Sequence, residues 1–563
     1  MLVTSRRHLG DLPGAVVPVL LDALPLDQAR VMFVRLAPRA AAGPAVAVEE
    51  LARLAGYLPL AISLLARVYA RHPSWTLADL ARETRASLLT LAAERDSVAA
   101  AFEVSYRYLA PGQQQFFRRL GLHPGITTDA YAAAALAGVP VQEASGELDA
   151  LHGEGLLIEA GYRRYGMHDL IRRYAQDLVA TDPAADRDQG MDSLLDYYQH
   201  TAAITEAFLA RQFRTTPTSA VRTSPSAAVP DLPDSMRALS WARTERVNLL
   251  TCLDHATRTG QHARVIALTA AIAPLLRQDG PWTEASTRLA TAMQAARHLG
   301  DRLGQARTLN DLGVVLRLTG DYRGAAEAQD EALGIYSDLG DGQGQADALD
   351  GLGAVRRLTG DYPGAAEALE AALGISRDLG DRLGRANALN HLGAVRRQTG
   401  DYRGAAEAQE AALGIYRDLG NRLGEADALN HLGAGQYLTG DYRGAAEAQE
   451  AALGIYRDLG DPGGEVEVLN EVGTLHRLRG DLDGAGACHR QALALAREIG
   501  SSWDEAHALA GLGRCALTAG RTADAVTSLR PAWEIFQRIG AAETTGVAAE
   551  LDALTEAGPT EER

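Results

Sequence analysis

The chain contains no lysine; all 55 of its basic residues are arginine. That absence excludes the phosphate-binding loop GxxxxGK(S/T), whose lysine reaches the terminal phosphates while backbone amides cradle the others. Cysteine is scarce as well. Cys252, Cys488 and Cys515 are far apart and form no CxxC, which excludes a disulfide framework and fits a reducing, cytoplasmic setting. No run of about 18 apolar residues occurs, so no membrane span is expected. The N-terminal MLVTSRRHLGDLPG lacks the charged-then-apolar order of a signal peptide. Neither GxSxG nor HExxH is present. Aromatic residues make up only 5% of the 563, against 47% hydrophobic; abundant Ala and Leu favour helices over sheets.

Charge is abundant and uneven. Residues 1–180 hold 18 Arg and 18 Asp plus Glu, whereas the remainder holds 37 against 54 and supplies the whole net charge of −17. An acidic surface of that size opposes non-specific nucleic-acid binding, so no nucleic-acid partner is expected for this chain alone.

The dominant pattern is a repeat. Glycine recurs at 280, 320, 360, 400, 440, 480 and 520, and TGDYRGAAEAQ stands at 319, 399 and 439 with TGDYPGAAEAL at 359. A fixed period of 40 residues signals a stacked architecture in which each unit buries its apolar face only against its neighbours. Each unit reads as two helices. In the first, Gly304–Thr319, Ala306, Leu309, Leu312 and Leu316 share one stripe. Gly320-Asp321 breaks it, and the second runs from about Tyr322 to Leu339. The mid-helix Gly313, Gly353, Gly393, Gly433, Gly473 and Gly513 each cost about 1 kcal/mol against Ala, for which close helix–helix approach compensates.

This spacing resembles the tetratricopeptide repeat, in six copies over 301–540 with a degenerate seventh at 261–300. The resemblance implies a concave groove lined by the first helices that takes a protein or peptide. Three columns fall on that stripe: Asn310, Asp350, Asn390, Asn430 and Asn470; small residues such as Val314 and Ala354; and Arg317, Arg357, Arg397, Tyr437 and Arg477. Amides can bond an extended backbone, and forked guanidinium groups suit carboxylates. The expected ligand is therefore a peptide or loop with acidic groups.

The front third carries other marks. Helices are expected through Gly56-Tyr57-Leu58-Pro59 and over 97–122, followed by a hairpin at Leu156–Met167, the order of a winged helix. Thr4-Ser5-Arg6, Gly56-Tyr57-Leu58-Pro59 and Met167-His168-Asp169, in this order, resemble the NB-ARC branch of the STAND nucleotide switches, above all its bacterial regulators with a tetratricopeptide array. The resemblance implies nucleotide contacts at Arg6, Pro59 and His168, vestigial here because the lysine loop is missing and Met1 stands three residues before Thr4. ADP or ATP would be a cofactor only if the missing half is supplied upstream or by another chain. No metal site and no catalytic set are expected, and the chain is read as a non-enzyme.

The expected fold class is predominantly all-α: a helical subdomain plus winged helix, then a tetratricopeptide solenoid. The expected boundaries are a nucleotide-domain remnant at 1–20, the helical subdomain at 21–95 and the winged helix at 96–181. A helix and Pro/Ser/Thr-rich linker follow at 182–235, a helical lead-in at 236–300, the repeats at 301–540 and a tail at 541–563. The function expected is the interaction and sensor module of a signalling or transcriptional regulator. Two alternatives are the C-terminal part of a nucleotide-dependent switch and a winged-helix DNA binder, for which Arg163-Arg164 and Arg172-Arg173 offer charge.

Overall fold

The computed structural model describes residues 24–90, 97–209, 228–279 and 281–556. Arg6, with its Thr4-Ser5-Arg6 motif, lies outside them, as does most of the 215–235 stretch. Two units make up the chain, Met1–Leu194 and Leu195–Arg563.

In the first unit α1 (Leu26–Leu36), α2 (Ala45–Leu54), α3 (Pro59–Arg71) and α4 (Leu77–Thr90) form a helical group around Phe33, Leu51, Ile62 and Leu65. Gly56 (φ 59°) and Tyr57 (φ 57°) both turn left-handed between α2 and α3, and Pro59 takes the first helical position of α3, where its missing N–H costs nothing. The next elements are α5 (Ser97–Arg107), α6 (Pro111–Leu120), β1 (Thr127–Thr128), α7 (Ala130–Ala137), α8 (Val141–Gly153), β2 (Ile158–Gly161), β3 (Arg164–Gly166) and α9 (Asp169–Val179). The strands pair antiparallel in the order β1-β3-β2. Arg67 on α3 donates to the Gly153 carbonyl at 3.0 Å, which ties the helical group to the end of α8.

Helix α10 (Ala184–Leu209) crosses the boundary between the units, and α11 (Ser235–Arg258), α12 (His262–Asp279) and α13 (Trp282–Leu299) lead into the repeats. The repeats are α14 to α25: Arg302–Thr319, Tyr322–Leu339, Gly342–Thr359, Tyr362–Asp378, Arg382–Gln398, Tyr402–Leu419, Arg422–Leu438, Tyr442–Leu459, Pro462–Leu478, Leu482–Ile499, Ser502–Thr518 and Thr522–Ile539. Consecutive helices pack in antiparallel pairs, a tetratricopeptide solenoid.

The Gly-Asp junctions explain the regularity. Gly320, at φ 85°, ends α14 in a conformation that disfavours a side chain, and the Asp321 carboxylate accepts from the Gly324 N–H at 2.9 Å to start α15. Such a cap contributes about 1 kcal/mol. The mid-helix glycines are explained by contact: a Cβ at Gly353 would lie 2.5 Å from Leu369 Cγ, and one at Gly433 would lie 2.9 Å from Gln449 Cγ. Each pair of helices therefore closes to a distance that only hydrogen permits.

Two expectations change. The first helix of the unit begins at Arg302 rather than Gly304, because Asp301 caps it. Within the stretch expected as a tail, α26 (Thr544–Glu556) packs on the array with Val547 fully buried.

Candidate functional site

Met167-His168-Asp169 joins β3 to α9. Met167 is buried, while His168 is exposed and caps α9, its Nδ1 accepting from the Leu170 N–H at 3.3 Å. Asp169 sits in the first turn, where a carboxylate favours the positive helix end. Pro59 and His168 stand at the N-termini of separate helices, α3 and α9. Arg172 is not free for DNA: it donates to the carbonyls of Gly125 (2.6 Å) and Ile126 (2.9 Å). Arg164 Nη2 donates to Thr127 Oγ1 at 3.1 Å. Helix α8 carries Glu143, Glu147 and Asp149 and no arginine.

The array differs from an open groove because it turns back on itself. The Ala542 N–H donates to the Leu358 carbonyl at 2.9 Å. One apolar cluster joins Tyr322, Ala325, Val355 and Leu358 of the first two repeats to Phe536, Ile539 and Val547 at the far end. Arg243, on α11, donates to the Gly460 carbonyl at 2.7 Å. What the column spacing presents as a concave surface is thus the wall of an interior cavity of about 210 Å³ that is partly open to solvent. A second interior pocket shares Arg317, Ala354, Asn390, His391 and Asp427 with it.

The predicted columns divide accordingly. Arg317, Arg357, Asn390 and Asn430 line the cavity, and Asn310 and Asp350 line its neighbour. Arg397, Tyr437, Asn470 and Arg477 line neither. The amide column is buried; Asn390 and Asn470 are engaged, whereas the Oδ1 atoms of Asn310 and Asn430 have no hydrogen bond. His431 Nδ1 donates to Asn390 Oδ1 (3.2 Å), and Asn470 donates to the Asp504 carbonyl (3.3 Å). His391 Nδ1 pairs with Asp350 (2.9 Å). His391 and His431, read from sequence as solvated, are half-buried links between successive repeats. Burial, reinforced by Arg397 and Arg357, holds His431 well below its ordinary pKa and keeps it neutral. Tyr437 is committed to Glu471, to which its hydroxyl donates at 2.5 Å.

The arginine column behaves otherwise. Among the described residues, Arg317, Arg357 and Arg397 form no hydrogen bond or ion pair, and the Nε atoms of Arg357 and Arg397 are buried without a partner. Burial and then Arg397 press the Arg357 pKa down from its ordinary value, against the pull of Glu467 and Glu543. Sequence reasoning missed the opposing wall. Asp427, Asp461, Glu467 and Asp504 also line the cavity. Glu467 is pushed up to about 8 by burial and then by Asp504 and Asp427. Its side chain keeps 37% of its surface open, so solvent in the cavity screens it and its weight on stability is small. Asp504 is pushed up to about 6 by burial. These carboxylates stand one or more repeats beyond the arginines, so no local pattern pairs them. No set of three metal-ligating side chains occurs among the described residues.

Residues 264–338, 344–418, 384–458 and 465–538 match the family profile of the tetratricopeptide repeat. Regulatory protein AfsR of Streptomyces griseus is 33% identical over 341 residues, covering 58% of this chain and 34% of its own length. Regulatory protein AfsR of Streptomyces coelicolor is 31% identical over 336 residues, with coverage of 58% and 33%. The chain thus spans about a third of the length of the curated relatives it matches. A solved STAND protein with a tetratricopeptide repeat sensor, from Pyrococcus horikoshii, aligns over 95% of this chain and 73% of its own, at 14% identity and a TM-score of 0.47.

Proposed function

We propose that this chain is the recognition module of a tetratricopeptide-containing regulator, with the array binding a protein or peptide ligand through its inner wall. The observation that carries this reading is the arginine column. Three guanidinium groups at 40-residue spacing stand without a protein partner in the interior of an otherwise acidic molecule. Placing like charges together, half-buried, costs free energy unless a ligand compensates them. The partial identity to two regulatory proteins supports the regulatory role.

On this reading the NB-ARC-like front unit is a switch part and does not hydrolyse ATP by itself. His168 acts as a helix cap, and a nucleotide-binding half would have to come from elsewhere. The acidic α8 and the engaged Arg172 argue against DNA reading. The test is capture from an extract of the source cell by the immobilised chain, compared with an Arg317→Gln/Arg357→Gln/Arg397→Gln variant. Loss of specific partners in the variant is expected; an unchanged set defeats the inner-wall reading. Titration with ADP and ATP should show no tight binding, and micromolar affinity for either would overturn the switch-part assignment.

A further inference from the structure

The cavity wall gathers five buried polar atoms that have no hydrogen bond. Tyr322 (2% exposed) and Asn430 (2%) have buried Oη and Oδ1 atoms without a hydrogen bond, and Asp504 (7%) has a buried Oδ1 likewise. Arg357 Nε and Trp503 Nε1 are in the same condition, and all five residues line the one cavity. A buried polar group without a partner costs about 1–3 kcal/mol, and folded proteins keep few of them. Five around one space mark a site built for a polar occupant.

The chemistry of that occupant follows from the wall. Arg357 on α16 and Tyr322 at the start of α15 present donors and positive charge, and Trp503 adds an N–H from α24. Asn430 on α20 and Asp504 on α24 present acceptors, and Glu467 on α22, pushed up to about 8 and so largely protonated at pH 7, becomes a negative acceptor when a cation displaces its proton. Arg357 attracts Glu467 across the space, yet no ion pair closes between them. A purely anionic ligand would meet Glu467 and Asp504, and a purely cationic one would meet Arg357. The cavity of about 210 Å³ has room for a molecule of dipeptide size.

We infer that the interior of the array binds a short zwitterion, its carboxylate held by Arg357 and Tyr322 and its ammonium by Asn430, Glu467 and Asp504. The assignment rests on the reading of the array as a recognition module and narrows its ligand.

Four probes test it: Ala-Ala with free ends, N-acetyl-Ala-Ala, Ala-Ala amide, and the doubly blocked dipeptide. Binding is read from tryptophan fluorescence, since Trp282 and Trp503 line the cavity, and from the shift in Tm. The free-ended dipeptide should bind at least tenfold more tightly than either singly blocked form, and the doubly blocked form should not bind. Arg357→Gln should erase the advantage of the free carboxylate, and Glu467→Gln that of the free ammonium, with helix content unchanged. Equal binding of blocked and free forms, or no response to any probe at millimolar concentration, overturns the inference. Binding of a doubly blocked Arg-Glu dipeptide in place of Ala-Ala overturns it too, because the charges would then be read from side chains. If partner capture still depends on the arginine column while every probe fails, the recognition reading stands and only the zwitterion is lost.

Discussion

The backbone N–H of Ala542 donates to the carbonyl of Leu358 at 2.9 Å, across 184 positions of sequence, and it does so beside Ile539, whose Cβ lies 3.2 Å from where a Cβ on Gly320 would be. This seam turns the solenoid back on itself. Replacing Ile539, 8% exposed in the shared cluster, with Asp places an unpaired charge in the seam. The Ile539→Asp variant is expected to keep its helix content by circular dichroism while its radius of gyration rises in small-angle scattering. Faster amide exchange should appear at 320–325 and 541–547. An unchanged radius and unchanged exchange would show that the seam holds nothing together; Ile539→Val serves as the control that retains it.

Gly353 is expected to resist replacement by alanine even though it lies inside a helix. On propensity alone Gly→Ala would stabilise by about 1 kcal/mol. The new methyl would lie 2.5 Å from Leu369 Cγ, and overpacking of that kind costs about 1–3 kcal/mol. The net change in urea denaturation should be destabilising or close to zero. A gain equal to the full propensity difference would mean the helix pair has room to spare.

Gln409 and Gln449 occupy the same place over Gly393 and Gly433 that Leu369 occupies over Gly353. Both are buried, at 1% and 0% exposure, and neither amide atom of either side chain has a hydrogen-bond partner. Leucine fits this position elsewhere in the same array. Gln409→Leu and Gln449→Leu should therefore each stabilise by about 1–2 kcal/mol through removal of an unsatisfied amide, read as a higher urea midpoint. A lower midpoint for both would indicate that the amides are satisfied in solution.

His489 fills that place over Gly473 and is 1% exposed. Burial, then Arg477, lowers its pKa from 6.5 to about 4. The unfolded chain therefore binds a proton that the folded chain refuses. The stability this gives is fully present above pH 6.5 and is lost as pH falls toward 4, by on the order of 3 kcal/mol. His489→Gln, which restores the residue found at 329, 409 and 449, should flatten the stability profile between those limits. An equally steep profile in the variant would place the acid sensitivity elsewhere.

The columns show how far the residues spoke for themselves. Helical spacing puts Asp350 and Arg357 on one face of their helix, and Asn390 and Arg397 on one face of theirs, because residues seven apart lie on the same side; Asn390 and Arg357, from different repeats, line the same cavity. That the amides would be taken up by His431 and Asp504 was not legible, because each partner comes from a later repeat. Asp427 and Glu467 stand 40 residues apart, in a column three positions ahead of Asn430 and Asn470 that the spacing could have shown; that this column and Asp504 share one cavity with Arg317 and Arg357 was not legible, because the helices that bring them together come from different repeats. In the front unit, the role of His168 as a helix cap was readable from Asp169 and the amphipathic segment behind it. The diversion of Arg172 to the carbonyls of Gly125 and Ile126 was not.

By itself the sequence determined everything with a short range. The 40-residue period, the paired helices, their Gly-Asp junctions and the glycines where helices touch are all functions of neighbours within one or two units, where local hydrogen bonding and side-chain volume decide. Only the tertiary structure decided that the array closes. Closure is the sum of small rotations from one helix pair to the next, and no residue encodes that sum. Its consequence is that residues some two hundred positions apart line one small cavity, with arginines on one side and carboxylates on the other.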